Sequence, residues 1–250
     1  RSILIKILNY LNYSFKMKVL KFGGSSVASS ENIQKVLAIV KEASKNEKIA
    51  VVVSAFGKTT NALIEAANLA ASKNEDYKEV LNKIEEHHLS IINDLISSAN
   101  KKEVTTYVQE LLNSLSTIYE GVFLLQELSD KTLAKVSSFG ERLSSYIIAH
   151  AASELFDATH KESRELVVTN NEFLNAQVIF KTTNENIVSF FKENKHQVTL
   201  LGGFISSNIL GETTTLGRGG SDFTASIYAA ALDANELQIW TDVAGMYSAN

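Results

Sequence analysis

From Gly217 to Asp222 the chain reads Gly-Arg-Gly-Gly-Ser-Asp, closing the stretch TTTLGRGGSD. A guanidinium set among glycines can come close to a carboxylate or phosphate and grip two of its oxygens at once. Ser221 and Asp222 stand where a following helix would begin, so each could cap that helix or meet a ligand. A cap would not account for the arginine and three glycines beside it. Half of the chain's 12 glycines fall between positions 202 and 220, which concentrates backbone freedom there.

Four other segments could carry chemistry. In KFGGSSV, Lys21 supplies a cation where a strand ends, and Gly23 and Gly24 let the backbone turn its amides toward an anion. A tight turn beside a snorkelling lysine is the plainer alternative. SAFGKTTN offers hydroxyls at Ser54 and Thr60, as ligand contacts or as a helix cap. Its Gly-Lys-Thr is not a P-loop, because the leading glycine of that motif would fall on Val52, inside a strand. In SSFGERLSS a glycine interrupts a helical pattern at a cost of about 1 kcal/mol relative to alanine. Gly140 therefore either admits a neighbouring segment or leaves space for a ligand beside Glu141, the plain reading of Glu141 and Arg142 being an exposed pair on a helix. In WTDVAGMYSAN, Thr241 and Asp242 end a strand and Tyr247 follows in a loop, open to nucleotide contact, metal contact or an ordinary turn.

These segments need elements to position them. The run 17–22 reads as a buried strand, Glu31 to about Asn46 as an amphipathic helix, and Ile49–Ser54 as a strand covered on both faces. Residues 77–129 form a helical insertion, and one helix is expected over about 135–156. Strands are expected at Arg164–Thr169, Gln197–Phe204 and Leu237–Thr241, with a hairpin or flap through Gly211 and Glu212 and a helix from Asp222 to Leu232. The alternation predicts an α/β protein with a largely parallel sheet between helix layers, whose ligands gather at the carboxyl ends of the strands. The five histidines are scattered and read as surface or helix residues.

Composition bounds the function. With 45% hydrophobic and 21% charged residues the chain is globular, and a net charge of −4 supplies no basic field for nucleic acid. Absence of cysteine excludes disulfides and thiolate chemistry and suits a cytoplasmic protein. Absence of proline has no physical account. Residues 1–16 are too short an apolar run to span a bilayer and lack a small-residue cleavage site, so no membrane role is expected; they read as an extension upstream of a start at Met17. Anion loops, a strand-end lysine, a clamp arginine and acidic residues at element ends are together the kit for moving a phosphoryl group with Mg²⁺.

KFGGSSV, SFGERLS, TTTLGRGGSDFTA and IWTDVAGMYSAN, in that order, resemble the catalytic domain of the aspartate kinases, in the amino-acid kinase superfamily. The likeness covers residues 17–250 and implies a three-layer α/β/α sandwich. It implies transfer of the ATP γ-phosphoryl group to the side-chain carboxylate of L-aspartate, the opening step toward lysine, threonine and methionine. It also implies roles. Lys21 would stabilise the transferring group beside Gly23 and Gly24. Ser54, Thr60, Glu141 and Arg218 would hold aspartate. Ser221 and Asp222 would lie by the phosphates, Asp222 orienting Mg²⁺ or Lys21, and Thr241, Asp242 and Tyr247 would face the nucleotide. Members of this family continue into further nucleotide-site structure, then ACT domains and in some cases a homoserine dehydrogenase, and form homo-oligomers, so the chain reads as a truncated catalytic domain. Another amino-acid kinase, acting on acetylglutamate, glutamate or a nucleotide, and a catalytically silent assembly module are the alternatives.

Overall fold

The computed structural model describes residues 17–241, so the expectations for residues 1–16 and for Asp242 and Tyr247 lie outside the described residues. Strand β1 (Met17–Phe22) enters a 3₁₀ turn at Ser25–Val27 and then helix α1 (Ser30–Ala43). Ser29 caps α1 by accepting the Asn32 amide. Strand β2 (Lys48–Val53) follows, then α2 (Thr59–Ala71), α3 (Tyr77–Leu95) and α4 (Ser98–Leu125). Next come α5 (Asp130–Ser137), α6 (Phe139–Ser153), β3 (Ala158–Lys161) and β4 (Val168–Thr169). Helix α7 (Phe180–Glu193) leads to β5 (Val198–Gly202), β6 (Ile205–Asn208), β7 (Thr213–Thr215), α8 (Gly220–Ala231) and β8 (Glu236–Trp240).

The main sheet has the order β3-β5-β2-β1-β8 and every pair in it is parallel. Its register sets Phe22 beside Val53 and Trp240, and Val53 beside Gly202, so the carboxyl ends of four strands share one edge. Period-two alternation then sorts the side chains. Leu20, Phe22, Ile49, Val51, Val53 and Leu200 join the core built with α1 to α4 and α6. Met17, Val19, Ala50, Val52 and Leu201 join the opposite core, with Ile187 and Phe191 of α7 and Ala225, Ile227 and Tyr228 of α8. Helices cover both faces, which is the expected α/β/α sandwich. Lys21 shares the parity of Met17 and Val19 and therefore faces the α8 layer.

Helices α3 and α4 make up most of the insertion and pack into the same core as the sheet, through residues such as Ile84, Ile92, Leu112 and Leu115. Tyr119 of α4 donates its hydroxyl to the Leu63 carbonyl of α2 at 2.9 Å, anchoring the lobe to the layer that carries the site.

Local structure differs from the sequence expectation in four places. The helix expected over 135–156 is two helices that meet at Ser138. The strand expected at Arg164–Thr169 is a 3₁₀ turn, Ser163–Glu165, followed by only Val168–Thr169; Arg164 in the turn pairs with Glu162 at 2.8 Å. The strand expected to run to Phe204 stops at Gly202 in a sharp turn. His160 lies half-buried in β3, neither on the surface nor in a helix, and bonds with the Ser145 hydroxyl at 3.1 Å, while His88 is in a helix as expected but fully buried; burial pushes both imidazoles down to about 4, so both are neutral at pH 7. The hairpin is present as antiparallel β6 and β7, paired with β4 in a second, three-stranded sheet, and its tip is tied to α5 by the ion pair of Glu212 with Lys131.

Candidate active site

At the shared carboxyl edge lies an open cleft of about 330 Å³. Lys21, Gly24, Ser54, Thr60, Glu141, Ser221 and Asp222 line it, seven residues of the sequence-derived set brought together from four separate segments. Ala55, Gly57, Asn61, Phe204, Gly217, Gly219 and Gly220 complete the lining.

On one wall, Lys21 emerges from the end of β1 and its ammonium lies 2.6 Å from Oδ1 of Asp222 in the first turn of α8. The lysine side chain is 9% exposed and the aspartate 49%, so the cation is sheathed while its partner still faces solvent. Gly219, at φ +74°, occupies the N-cap position of α8, and no side chain caps that helix. Ser221 and Asp222 therefore do not serve as caps; they stand in the cleft beside the positive end of the helix dipole, where an anion is favoured. Gly24 follows β1 in such close contact with the next loop that a Cβ there would come within 2.8 Å of the Gly57 carbonyl. The Gly23 amide is committed to the Trp240 carbonyl at 3.2 Å, which leaves Gly24 as the glycine of this pair that lines the cleft.

The other wall is α6 laid against the loop after β2. A Cβ at Gly140 would fall 2.7 Å from the Ala55 side chain, so this glycine, in the first turn of α6, serves close approach of the neighbouring segment. Four residues on, Ser144 donates its hydroxyl to the Ser54 carbonyl at 2.9 Å and ties that loop to the helix. Between them Glu141 is 3% exposed, and its Oε2 has no hydrogen-bond partner among the described residues. Burial pushes the Glu141 carboxyl up to about 8, opposed by a smaller stabilisation of the carboxylate from the Ala55 backbone. Far from an exposed helix pair, it is a buried acceptor suited to an incoming ammonium group.

That shift has a measurable consequence for stability. An unfolded glutamate titrates near 4.3, so between about pH 4.5 and 8 the native chain holds a proton that the unfolded chain has released, and stability falls as pH rises through this window. Glu141→Gln stays neutral throughout. Its Tm relative to the unsubstituted protein is expected to climb by about 5–10 °C between pH 5 and pH 8. Thermal melts across that range would show a constant difference instead if the carboxyl titrates normally.

Arg218 does not line the cleft. It is exposed at the rim between Gly217 and Gly219, both at positive φ (+73° and +74°). Thr241 lies in a neighbouring cleft of about 240 Å³ with Phe22, Ser25, Ser26, Asn32, Lys35 and Trp240, across β1 from Lys21. Among the residues that sequence reasoning missed, Gly57 carried a signal, since SAFGKT ends a strand and needs a left-handed turn there, observed at φ +53°. Phe204 and Asn61 carried none.

Fold and cleft together are those of an α/β protein whose cleft opens at the carboxyl edge of its parallel sheet, where such folds bind their ligands. The chain belongs to the amino acid kinase family, whose profile matches residues 16–250. It is 34% identical over 237 residues to an aspartokinase of Chlamydia pneumoniae, covering 92% of this chain and 48% of that protein. It is 33% identical over 239 residues to a bifunctional aspartokinase/homoserine dehydrogenase of Buchnera aphidicola, covering 94% of this chain and 29% of that protein. Among solved structures, E. coli aspartokinase III in complex with aspartate and ADP superposes with a TM-score of 0.84 at 30% identity, covering 93% of this chain and 50% of that one. The chain thus spans between about a quarter and a half of the length of the relatives it matches. Among the described residues, no helix is long and apolar enough to cross a membrane.

Proposed function

We propose that this chain forms the catalytic part of an aspartate kinase, joining the γ-phosphoryl group of ATP to the side-chain carboxylate of L-aspartate. The observation that carries the reading is one cleft with two unlike walls: a sheathed lysine beside a helix N-terminus on one side, and a buried glutamate beside Ser54 and Thr60 on the other. Relatives named aspartokinase, and a solved structure that holds aspartate and ADP, support it.

A carboxylate nucleophile is ionised at neutral pH and needs no base, so the protein's task is to align two anions and offset their repulsion. In this reading Glu141 and the hydroxyls of Ser54 and Thr60 receive the amino acid, its ammonium meeting the buried carboxylate. Arg218 reaches in from the rim to pair with a substrate carboxylate. Lys21, held at 2.6 Å by Asp222, meets the charge that builds on the transferring phosphoryl oxygens, with the backbone of Gly24 and the first turn of α8 beside it. Gly23 lies beside the lysine head, with its amide held by the Trp240 carbonyl. Thr241 stands toward the nucleotide, and the same role is proposed for Asp242 and Tyr247.

Mg²⁺ fits this donor set when the nucleotide phosphates and water supply most of its ligands. Asp222 brings a carboxylate, and no group of three or more His, Asp or Glu residues able to hold an ion occurs among the described residues. When bound, the ion would neutralise phosphate charge.

ADP release by the protein is expected to depend on added L-aspartate, with hydroxylamine trapping the acyl phosphate as a hydroxamate. Release stimulated by acetylglutamate or glutamate and not by aspartate would transfer the assignment to another amino-acid kinase. A downstream dehydrogenase domain belongs to the same proposal, supported by the bifunctional relatives, as do regulatory domains and a homo-oligomeric assembly, which rest on the sequence resemblance alone.

A further inference from the structure

The cleft contains one backbone conformation that the proposed chemistry does not explain. After β5, the Ile205 amide bonds back to the Gly203 carbonyl at 2.6 Å, and the residue between them, Phe204, has φ +65°. An i→i+2 bond around a residue of positive φ is the rare, strained form of the γ-turn, and a side chain bearing a Cβ adopts it only where the surroundings enforce it. Glycines stand at 202 and 203, yet the strained position is taken by a phenylalanine that lines the cleft.

Two hydrogen bonds enforce the turn. Leu216 donates its amide to the Phe204 carbonyl at 2.9 Å, and Phe204 donates its amide to the hydroxyl of Thr224 at 2.9 Å. Thr224 is fully buried in the second turn of α8 and donates the same hydroxyl to the Gly220 carbonyl at 2.7 Å. Donating to a carbonyl four residues back is ordinary for a threonine in a helix. Accepting at the same time from a strained turn outside the helix makes this hydroxyl a bridge. The two parts are in contact without slack: a Cβ at Gly220 would lie 2.8 Å from the Phe204 ring, and one at Gly203 would lie 2.7 Å from the Ser221 side chain.

We infer that Thr224 is a positioning residue for this site: its hydroxyl pins the strained Phe204 turn, which follows a Gly202 packed so closely on the acceptor wall that a Cβ there would lie 3.2 Å from the Glu141 Cβ, to the first turn of α8, and so sets the spacing between the acceptor wall and the phosphate wall. The inference rests on the kinase reading above. Thr224 touches neither substrate in that reading. It acts through Phe204 on one side and through the Gly220–Asp222 turn on the other.

The test compares Thr224→Val, which keeps the shape and removes the hydroxyl, with Thr224→Ser, which keeps the hydroxyl. In Thr224→Val, kcat with L-aspartate is expected to fall by about tenfold to a hundredfold while the KM for ATP stays within about twofold, because alignment is lost and nucleotide binding is not. Thr224→Ser should stay within about threefold of the unsubstituted enzyme. Exchange of the Phe204 amide with deuterium should quicken at least about tenfold in the valine variant and not in the serine variant. In a Phe204→Gly background, where positive φ needs no enforcement, the added effect of Thr224→Val should shrink to within about twofold. Unchanged kcat with a protected Phe204 amide, or valine and serine variants impaired alike, would overturn the inference. If the unsubstituted protein shows no aspartate-dependent ADP release, the functional reading fails, and the exchange result alone then decides for or against the bridge.

Discussion

Lys21→Ala is expected to lower kcat by about 10²–10³-fold with little change in the KM for L-aspartate, since it removes the cation from where negative charge builds in the transition state. Position supports an effect of this size. Lys21 is the penultimate residue of a strand paired on both edges, sheathed and held against Asp222, so its ammonium is already oriented and sits where solvent screening is reduced. Global unfolding would not be the cause of the loss. Asp222 is half exposed and would be rehydrated once the lysine is gone, so the substitution leaves no buried, unpaired charge. Steady-state kinetics with a melt on the same sample separates the two effects; turnover within about threefold of the unsubstituted enzyme would remove Lys21 from the chemistry.

The second large effect is expected at the cleft rim. Arg218→Ala should raise the KM for L-aspartate by about 10–100-fold, the value of one charge-assisted, two-pronged contact, and should leave the KM for ATP within about twofold. Because Arg218 is exposed and flanked by two glycines at positive φ, its loss should leave Tm unchanged. This substitution examines the point at which sequence and structure sit furthest apart. The spacing suggests a clamp inside the site, whereas the side chain stands outside the cleft lining and must swing inward to grip anything. An unchanged KM for aspartate would mean that Glu141, Ser54 and Thr60 hold the amino acid without it, and that the glycines around Arg218 serve only the turn into α8.

Much of the fold is legible in the chain because its signals are local. An unbroken apolar run at 49–53, β-branched except at Ala50, reads as a strand covered on both faces, and Ile33, Val36, Leu37 and Val40 share one face of α1 by spacing alone. Strand β3 and helix α7 escape such reading. Ala158–Lys161 carries two charged or titratable side chains in four residues and becomes a strand only because β5 offers a parallel edge to pair with. Residue 138 is equally opaque, since nothing in SSFG says that the helix must break there to bring Gly140 against Ala55.

The site divides along the same line. Residue types and order by themselves point to a cleft at strand ends with Lys21 and Asp222 beside it, because glycine, charge and strand-end position are properties of short segments; Glu141 joins that set only through the family resemblance, since its local pattern reads as an exposed helix pair. Tertiary structure alone decided what those groups experience. It buries Glu141 and raises its carboxyl, places Asp222 against Lys21 instead of on a helix cap, commits the Gly23 amide to Trp240, and leaves Arg218 at the rim. It also decided that Phe204 would sit strained beneath Thr224, a contact between residues twenty positions apart. Desolvation and hydrogen-bond partners are set by what folds against a residue, and no spacing within one segment records that.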